Sequence, residues 1–420
     1  MRIYFKNARI LTMIDDRIFL GCLIVNENII EYVGPQLAEP IIADQTIDCE
    51  GNLLMPGFKN AHAHTAMVFA RSAADDLPLH DWLFDVIFPM EEKFVEDDIY
   101  HLTKSGILEY LSGGITAAFD MYFKPPEIAR ACEEIGFRNF ILATSTSEPI
   151  SLLRERYETW NKPGSLISYR LGIHAEYTTP LERIKEVVSL ANELKAPIFL
   201  HVGETENEVN GCVNRYGKTP IEFLDTLGFF DYGGGGFHCN FFTDKEINIC
   251  QKKHINIITC PGSNLKLASG IAPLVKYQKA GLNIGIGTDG AASNNSLDMF
   301  KEMYLASTLQ KVVNKDASLM DGFDVLKMAT VGSAKAMGLD NCDVLAKGKY
   351  ADIIMIDLQN PAMQPINNIG KNIVYSGSKD IVKMTMINGK ILYMNHQFFI
   401  KQSVNDIYRK TQEITERLKA

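Results

Sequence analysis

Hydrophobic and polar positions fall into three textures along the chain. Residues 1 to about 55 carry short Ile-, Val- and Leu-rich runs, IYFKNARILT, FLGCLIVNENIIEYVG and TIDCEGNLLM, separated by turn residues, and this predicts strands. The C-terminal part, from about residue 345 to 420, has the same texture. KYADIIMIDL, NIVYSGS and KMTMINGKILYMN are predicted strands, with the Asn-Gly of INGK as a hairpin turn, followed by an amphipathic helix over Asn405 to Leu418. Between these ends, residues 56–344 alternate apolar runs with helical periodicity. After the strand that ends at His64, further strands are predicted over 116–123, 137–145, 169–177, 196–204, 236–240, 255–261 and 282–290. Helices such as PLERIKEVVSLANELK and DKEINICQKKH lie between them. Strict alternation predicts a parallel sheet, and eight units predict a closed (β/α)8 TIM barrel. A doubly wound open sheet is the alternative. The run GGGG at 233–236 reads as a flexible lead into the sixth strand.

A barrel places its chemistry at the C-terminal ends of its strands. His62 and His64 end the first predicted strand, His174 the fourth, His201 the fifth and His238 the sixth, so five of nine histidines take such positions, and Asp289 ends the eighth. Residues two apart on a strand share a face, so His62 and His64 point together at the barrel axis. Two imidazoles aimed at one point suit a transition metal, zinc by default, rather than two core histidines. His201 is the natural third ligand and Asp289 the fourth. A metal lowers the pKa of bound water from 15.7 to about 7. Glu204, three residues beyond His201 in HVGE, is then placed to move protons between water and substrate; a plain helix N-terminal acid is the blander reading.

Composition narrows the partners. The 420 residues are 46% hydrophobic with a net charge of −9 and no long basic run, which argues against nucleic acid. The N-terminus has no apolar signal core and no run is apolar enough to span a membrane. Eight scattered cysteines without a CxxC read as free thiols of a reducing, cytoplasmic setting. A small-molecule substrate remains, and a homo-oligomer is compatible with the sequence. Two motifs are set aside. GIGTDG (285–290) satisfies G-x-G-x-x-G but sits at the end of the barrel rather than at the start of a βαβ unit. His174-Ala175-Glu176 matches HxE of cytidine deaminases but lacks the later P-C-x-x-C.

The stretches MPGFKNAHAHTAM, DDLPLHDWLFDVIFPMEE, IHAEYTTP, HVGETENEV, FHCNFFTDKEI, CPGSNLKLASGIAPL and GIGTDGAASNNSLDMFKEM, spanning residues 55 to 303, resemble the amidohydrolase superfamily, and within it the methylthioadenosine/S-adenosylhomocysteine deaminase group. The resemblance implies a barrel joined to a small β-sandwich made of both chain ends. It implies a metal held by His62, His64, His201 and Asp289. Zinc is the first choice and Fe2+ the second, and one ion is expected per subunit, because the fourth strand carries His174 and no bridging lysine. It further implies that Glu204 protonates a purine ring nitrogen, that His238 and Asp289 orient and deprotonate water, and that His174 touches the base or sugar edge. Glu91 would accept hydrogen bonds from ribose hydroxyls, and Trp82 would shape the pocket or simply pack. The implied activity is hydrolytic deamination of an adenosine-type nucleoside: 5′-methylthioadenosine, 5′-deoxyadenosine or adenosine. S-adenosylhomocysteine fits less well. Its amino-acid carboxylate needs an arginine clamp after the third strand, and LATSTSEPISLLRERYETW offers only Arg154 and Arg156 in a predicted helix, with Arg138 at the strand start. The alternatives are another ring (guanine, a pterin or a chlorotriazine) or an inactive metal-binding relative.

Overall fold

The eight apolar runs between residues 58 and 286 form eight parallel strands in sequence order. The structure, a computed structural model, describes residues 1–38, 40–73, 75–142 and 148–419. Five strands precede the barrel: β1 (Arg2–Leu11), β2 (Ile18–Asn26), β3 (Ile29–Gly34), β4 (Gln45–Asp48) and β5 (Leu53–Pro56). The barrel strands are β6 (Phe58–Ala63), β7 (Ile115–Met121), β8 (Arg138–Leu142), β9 (Ile167–Ala175), β10 (Ile198–Val202), β11 (Gly234–His238), β12 (Ile255–Thr259) and β13 (Ile284–Ile286). They are almost wholly buried, as strands covered on both faces must be. β13 returns to β6 through a seam rather than a regular ladder. Asp289 N donates to His62 O (3.0 Å), Thr288 N donates to Asn60 Oδ1 (2.8 Å), and Asn60 Nδ2 donates to Thr288 Oγ1 (2.7 Å). Gly287 is required at this seam, because a Cβ there would lie 2.6 Å from His62 N.

The chain ends meet in a second, nine-stranded mixed sheet. It adds β14 (Ile353–Ile356), β15 (Val382–Ile387), β16 (Lys390–Met394) and β17 (Gln397–Phe398) to the first five strands, in the order β17-β16-β15-β14-β5-β1-β2-β3, with β4 beside β1. β14 pairs antiparallel with β5, Ile353 opposite Pro56. The sheet wraps its own core of Ile3, Phe5, Leu23, Ile353 and Met384, giving the expected sandwich beside the barrel. The Asn388-Gly389 turn has both φ values positive (51° and 76°), as a two-residue hairpin turn requires. Arg138, at the start of β8, joins the two layers. Its guanidinium grips Asp352 in a fork (2.7 and 3.0 Å), both buried, and Asp352 also accepts from Asn388 N.

Three expectations need correction. NIVYSGS is not a strand: Asn372–Tyr375 close the helix Ile369–Tyr375, whose start is capped by the Asn368 side chain accepting from Lys371 N. Gly234–Gly236 are not a flexible lead but β11 itself. A Cβ on Gly235 would lie 2.9 Å from Phe199 Cδ1, and one on Gly236 2.5 Å from Val202 Cγ1, so the strand packs where only glycine fits. The eighth strand ends at Ile286, earlier than expected, and Asp289 turns inward at φ 60°. The predicted third strand runs into residues 143–147, which lie outside the described residues.

Candidate active site

The strand ends bring six of the expected residues to one point. The His62 and His64 rings lie 4.8 Å apart, edge to face, and His62 stacks on Phe237 at 4.0 Å. One ring nitrogen from each of His62, His64 and His201 lies within 4.8 Å of the others, and the same holds for ligand atoms of His62, His238 and Asp289. Asp289 Oδ1 is 3.2 Å from His64 Nε2 and 3.5 Å from His62 Nε2. Its other oxygen is held by Ser263 Oγ (2.5 Å) and Ser293 Oγ (2.9 Å), which fixes the carboxylate's aim.

The donor set fits a divalent transition metal. His64 Nδ1 donates to Met121 O, and His201 Nδ1 donates to His174 O (2.9 Å). A carbonyl can only accept, so both rings must carry hydrogen on Nδ1, and in the neutral ring the lone pair then lies on Nε2. His201 Nε2 faces His62 Nε2 at 3.1 Å. Burial pushes His62 down to about 3 and His174 to about 4, and takes His201 well below its usual value, so these imidazoles stay neutral. Burial disfavours charge on His64 too, but the Asp289 carboxylate outweighs it and raises that pKa. Burial would raise Asp289, yet hydrogen bonds from His62 and His64 hold it well below the ordinary carboxylate range. Ring nitrogens of His62, His64 and His201 and one carboxylate converge on one point, a donor set that suits a divalent cation once the protons they share are displaced.

Beside the cluster lies a cavity of about 360 Å³, the size of a small-ligand pocket. Glu204 and His238 line it, with Glu204 Oε2 3.8 Å from His238 Nε2. Burial raises the Glu204 pKa, which favours a carboxyl able to give up a proton. Its main chain is fixed from outside: the Glu208 carboxylate accepts from Gly203 N and Glu204 N, both at 2.8 Å. Glu91, Trp82 and His174 line the same cavity. Glu91 accepts from Tyr122 OH (2.5 Å), and burial lifts its pKa to about 7. Trp82 Nε1 is buried without a partner among the described residues, and His174 Nδ1 bonds Thr178 Oγ1 (2.8 Å). A second hollow of about 910 Å³ adjoins the cavity, sharing Leu79, Leu83, Tyr177 and Leu267. Residue pattern alone does not single out Ser263, Asn264, Asn240, Glu208 or Tyr122, although CPGSN and FHCN lie in stretches that carry the family resemblance.

An amidohydrolase family model matches residues 53–392, which takes in every residue of this cluster. The chain belongs to the amidohydrolase family. Two curated relatives bear the name 5-methylthioadenosine/S-adenosylhomocysteine deaminase. The protein of Thermococcus sibiricus is 39% identical over 94% of both chains. That of Caldanaerobacter subterraneus subsp. tengcongensis is 36% identical over 99% of this chain and 98% of its own. Among solved structures, an adenosine deaminase from Xanthomonas campestris with bound zinc superimposes on this amidohydrolase with a TM-score of 0.93. It is 30% identical over 99% of this chain and 98% of that one. Among the described residues no helix is long and apolar enough to cross a membrane.

Proposed function

We propose that this amidohydrolase deaminates an adenosine-type nucleoside, releasing ammonia and the matching inosine. His62, His64, His201 and Asp289 would hold the divalent ion, with zinc favoured by the nitrogen-rich set and by the zinc in the Xanthomonas relative. When bound, such an ion acidifies water and makes hydroxide available at neutral pH. His238 Nε2 takes the proton from the attacking water, and Asp289 helps hold that water in place. Glu204 delivers its proton to ring N1 as C6 becomes tetrahedral, and a second transfer lets ammonia leave. Glu91, ionised, accepts from ribose hydroxyls, while His174 and Trp82 bound the base.

The observation that carries this reading is the Glu204–His238 pair, 3.8 Å apart on a cavity that Glu91 also lines, which supports a proton-transfer pair and a hydroxyl acceptor serving one substrate. Methylthioadenosine, 5′-deoxyadenosine and adenosine are the favoured substrates. The arginines nearest the expected clamp are already engaged, Arg138 with Asp352, Arg154 with Glu193 and Arg156 with Glu148 in a fork at 2.8 and 2.9 Å. The division into a composite β-rich unit (1–55 and 345–420) and a catalytic barrel (56–344) is part of the same reading, as is a cytoplasmic setting for eight buried free thiols. Ammonia release by metal-replete protein tests it, with adenosine, 5′-deoxyadenosine, methylthioadenosine, S-adenosylhomocysteine, guanine and free adenine as the panel. Release from the first three is expected. Guanine alone, or silence across the panel with metal bound, overturns the nucleoside assignment.

A further inference from the structure

A hydrogen-bonded line of side chains runs behind the two proton-handling residues. Asn240 Nδ2 donates to the main-chain oxygen of Glu204 (2.9 Å), Asn264 Nδ2 donates to Asn240 Oδ1 (2.9 Å), and His238 Nδ1 meets Asn264 Oδ1 (2.8 Å). All three side chains belong to buried residues. A carboxamide can turn end for end, so its orientation must be argued from an anchor. Here the anchor is the Glu204 carbonyl, which can only accept. Asn240 must therefore turn its NH2 toward it and its oxygen toward Asn264. Asn264 must answer with its own NH2, which leaves its oxygen facing His238. The His238 Nδ1 is then obliged to donate. The direction of every bond follows from one carbonyl.

We propose that Asn240 and Asn264 act as positioning residues that lock His238 in the Nδ1–H tautomer, so that the lone pair of the neutral ring sits on Nε2, the nitrogen facing Glu204 and the cavity. The roles of Asn240 and Asn264 rest on the deaminase reading above; the tautomer itself does not. The backbone supports the arrangement. His238 and Cys239 both take left-handed conformations (φ 69° and 51°), and Asn240 N donates to Gly203 O (2.8 Å), so the loop after β11 is pinned to the loop after β10 that carries Glu204. Asn264 is presented by the helix Pro261–Lys266, and the residue just before it in that helix, Ser263, holds Asp289. One helix turn thus orients both groups that would handle the water. With the relay reversed, Nε2 would carry the hydrogen and could not accept another proton.

The test reads the tautomer directly. In 15N-histidine-labelled, zinc-loaded protein, the cross-peak pattern of the His238 ring, assigned by its absence in His238→Gln, reports which nitrogen is protonated. The expected result is Nδ1–H in the wild type, Nδ1–H kept in Asn264→Asp, whose carboxylate still accepts from His238 although it no longer donates to Asn240, and a mixed or Nε2–H ring in Asn264→Leu. Turnover of the best nucleoside should fall roughly 10- to 100-fold in Asn264→Leu, the range for losing a histidine's orienting partner, with KM unmoved and much of kcat restored in Asn264→Asp. A packing role would give the opposite order, since leucine fills the space and aspartate buries a charge. Asn240→Leu replaces Asn264→Leu if that variant does not fold. Nε2–H in the wild type, or Nδ1–H persisting in the leucine variant, overturns the relay. If the tautomers behave as expected and no nucleoside releases ammonia, the relay stands and the substrate assignment falls.

Discussion

Gly287→Ala places a single methyl group at the seam where the barrel closes, and its effect can be worked out from distances. The new Cβ would lie 2.6 Å from His62 N and 2.7 Å from His62 Cβ and O. Ordinary contact begins at 3.4 Å, so β6 must retreat from β13 by about 0.8 Å. Two of these atoms are backbone and the third is the Cβ bonded directly to it, so none can swing aside. His62 moves with its strand, and so does Asp289, whose N donates to His62 O (3.0 Å). Metal–ligand distances hold within about 0.2 Å, so the shift is roughly four times what the site tolerates. Overpacking adds about 1–3 kcal/mol of lost stability. The expected outcome is a fall in zinc affinity of at least about 10-fold, measured by competition with a chromophoric chelator, together with a lower Tm. Gly211→Ala is the control. It lies within the helix Glu206–Tyr216, where the added Cβ meets only the movable end of Arg215, and it should leave zinc binding intact. Unchanged zinc affinity in Gly287→Ala would refute the argument that the seam sets the position of His62.

Glu204→Gln should keep its metal, since Glu208 and Asn240 hold the main chain of residue 204 and its side chain lies outside the donor cluster; kcat should drop about 10²- to 10⁴-fold, and a near-normal rate would remove its proton-carrying role. Glu91 predicts a pH dependence of binding. Burial raises its pKa to about 7, so the carboxyl is protonated below that value and becomes a full acceptor above it. Nucleoside affinity, read as inhibitor Kd to keep turnover out, should rise through about pH 7, and Glu91→Gln should flatten the curve; a slope that survives in the variant would assign it to another group.

Much of this was legible in the pattern of residues. Continuous apolar runs mark buried parallel strands, and the histidines at their ends mark the site, because both follow from local spacing. What the chain hid was decided by contact. Ile373-Val374 is a short apolar run that fits strand or helix equally; the Asn368 cap and the packing of Ile369, Ile373 and Val374 settle it as a helix. GGGG looks flexible by composition, yet Phe199 and Val202 press so close that glycine is the only residue that fits in the strand. Asn240 stands two residues from His238, which is a signal in hindsight, but its partner Asn264 comes 24 residues later and its anchor 36 earlier. Spacing along the chain carries no information about such a line. Glu208 lies in HVGETENEV, where it looks like any acid in the first turn of a helix.

The pairing of β5 with β14 also sets a timetable. Pro56 and Ile353 are partners across about 300 residues of intervening chain, all of the barrel included. At roughly 5–20 residues per second, a ribosome needs on the order of 15 to 60 s to make that stretch. For that time the nascent β5 edge, Leu53-Leu54-Met55, has no strand of its own chain to pair with, and unpaired apolar edges invite neighbouring chains. Its other side is already matched by β1, through Arg9 opposite Leu53 and Ile10 opposite Leu54. The exposure is therefore one-sided, and it ends only when the message has been read as far as β14, Ile353–Ile356.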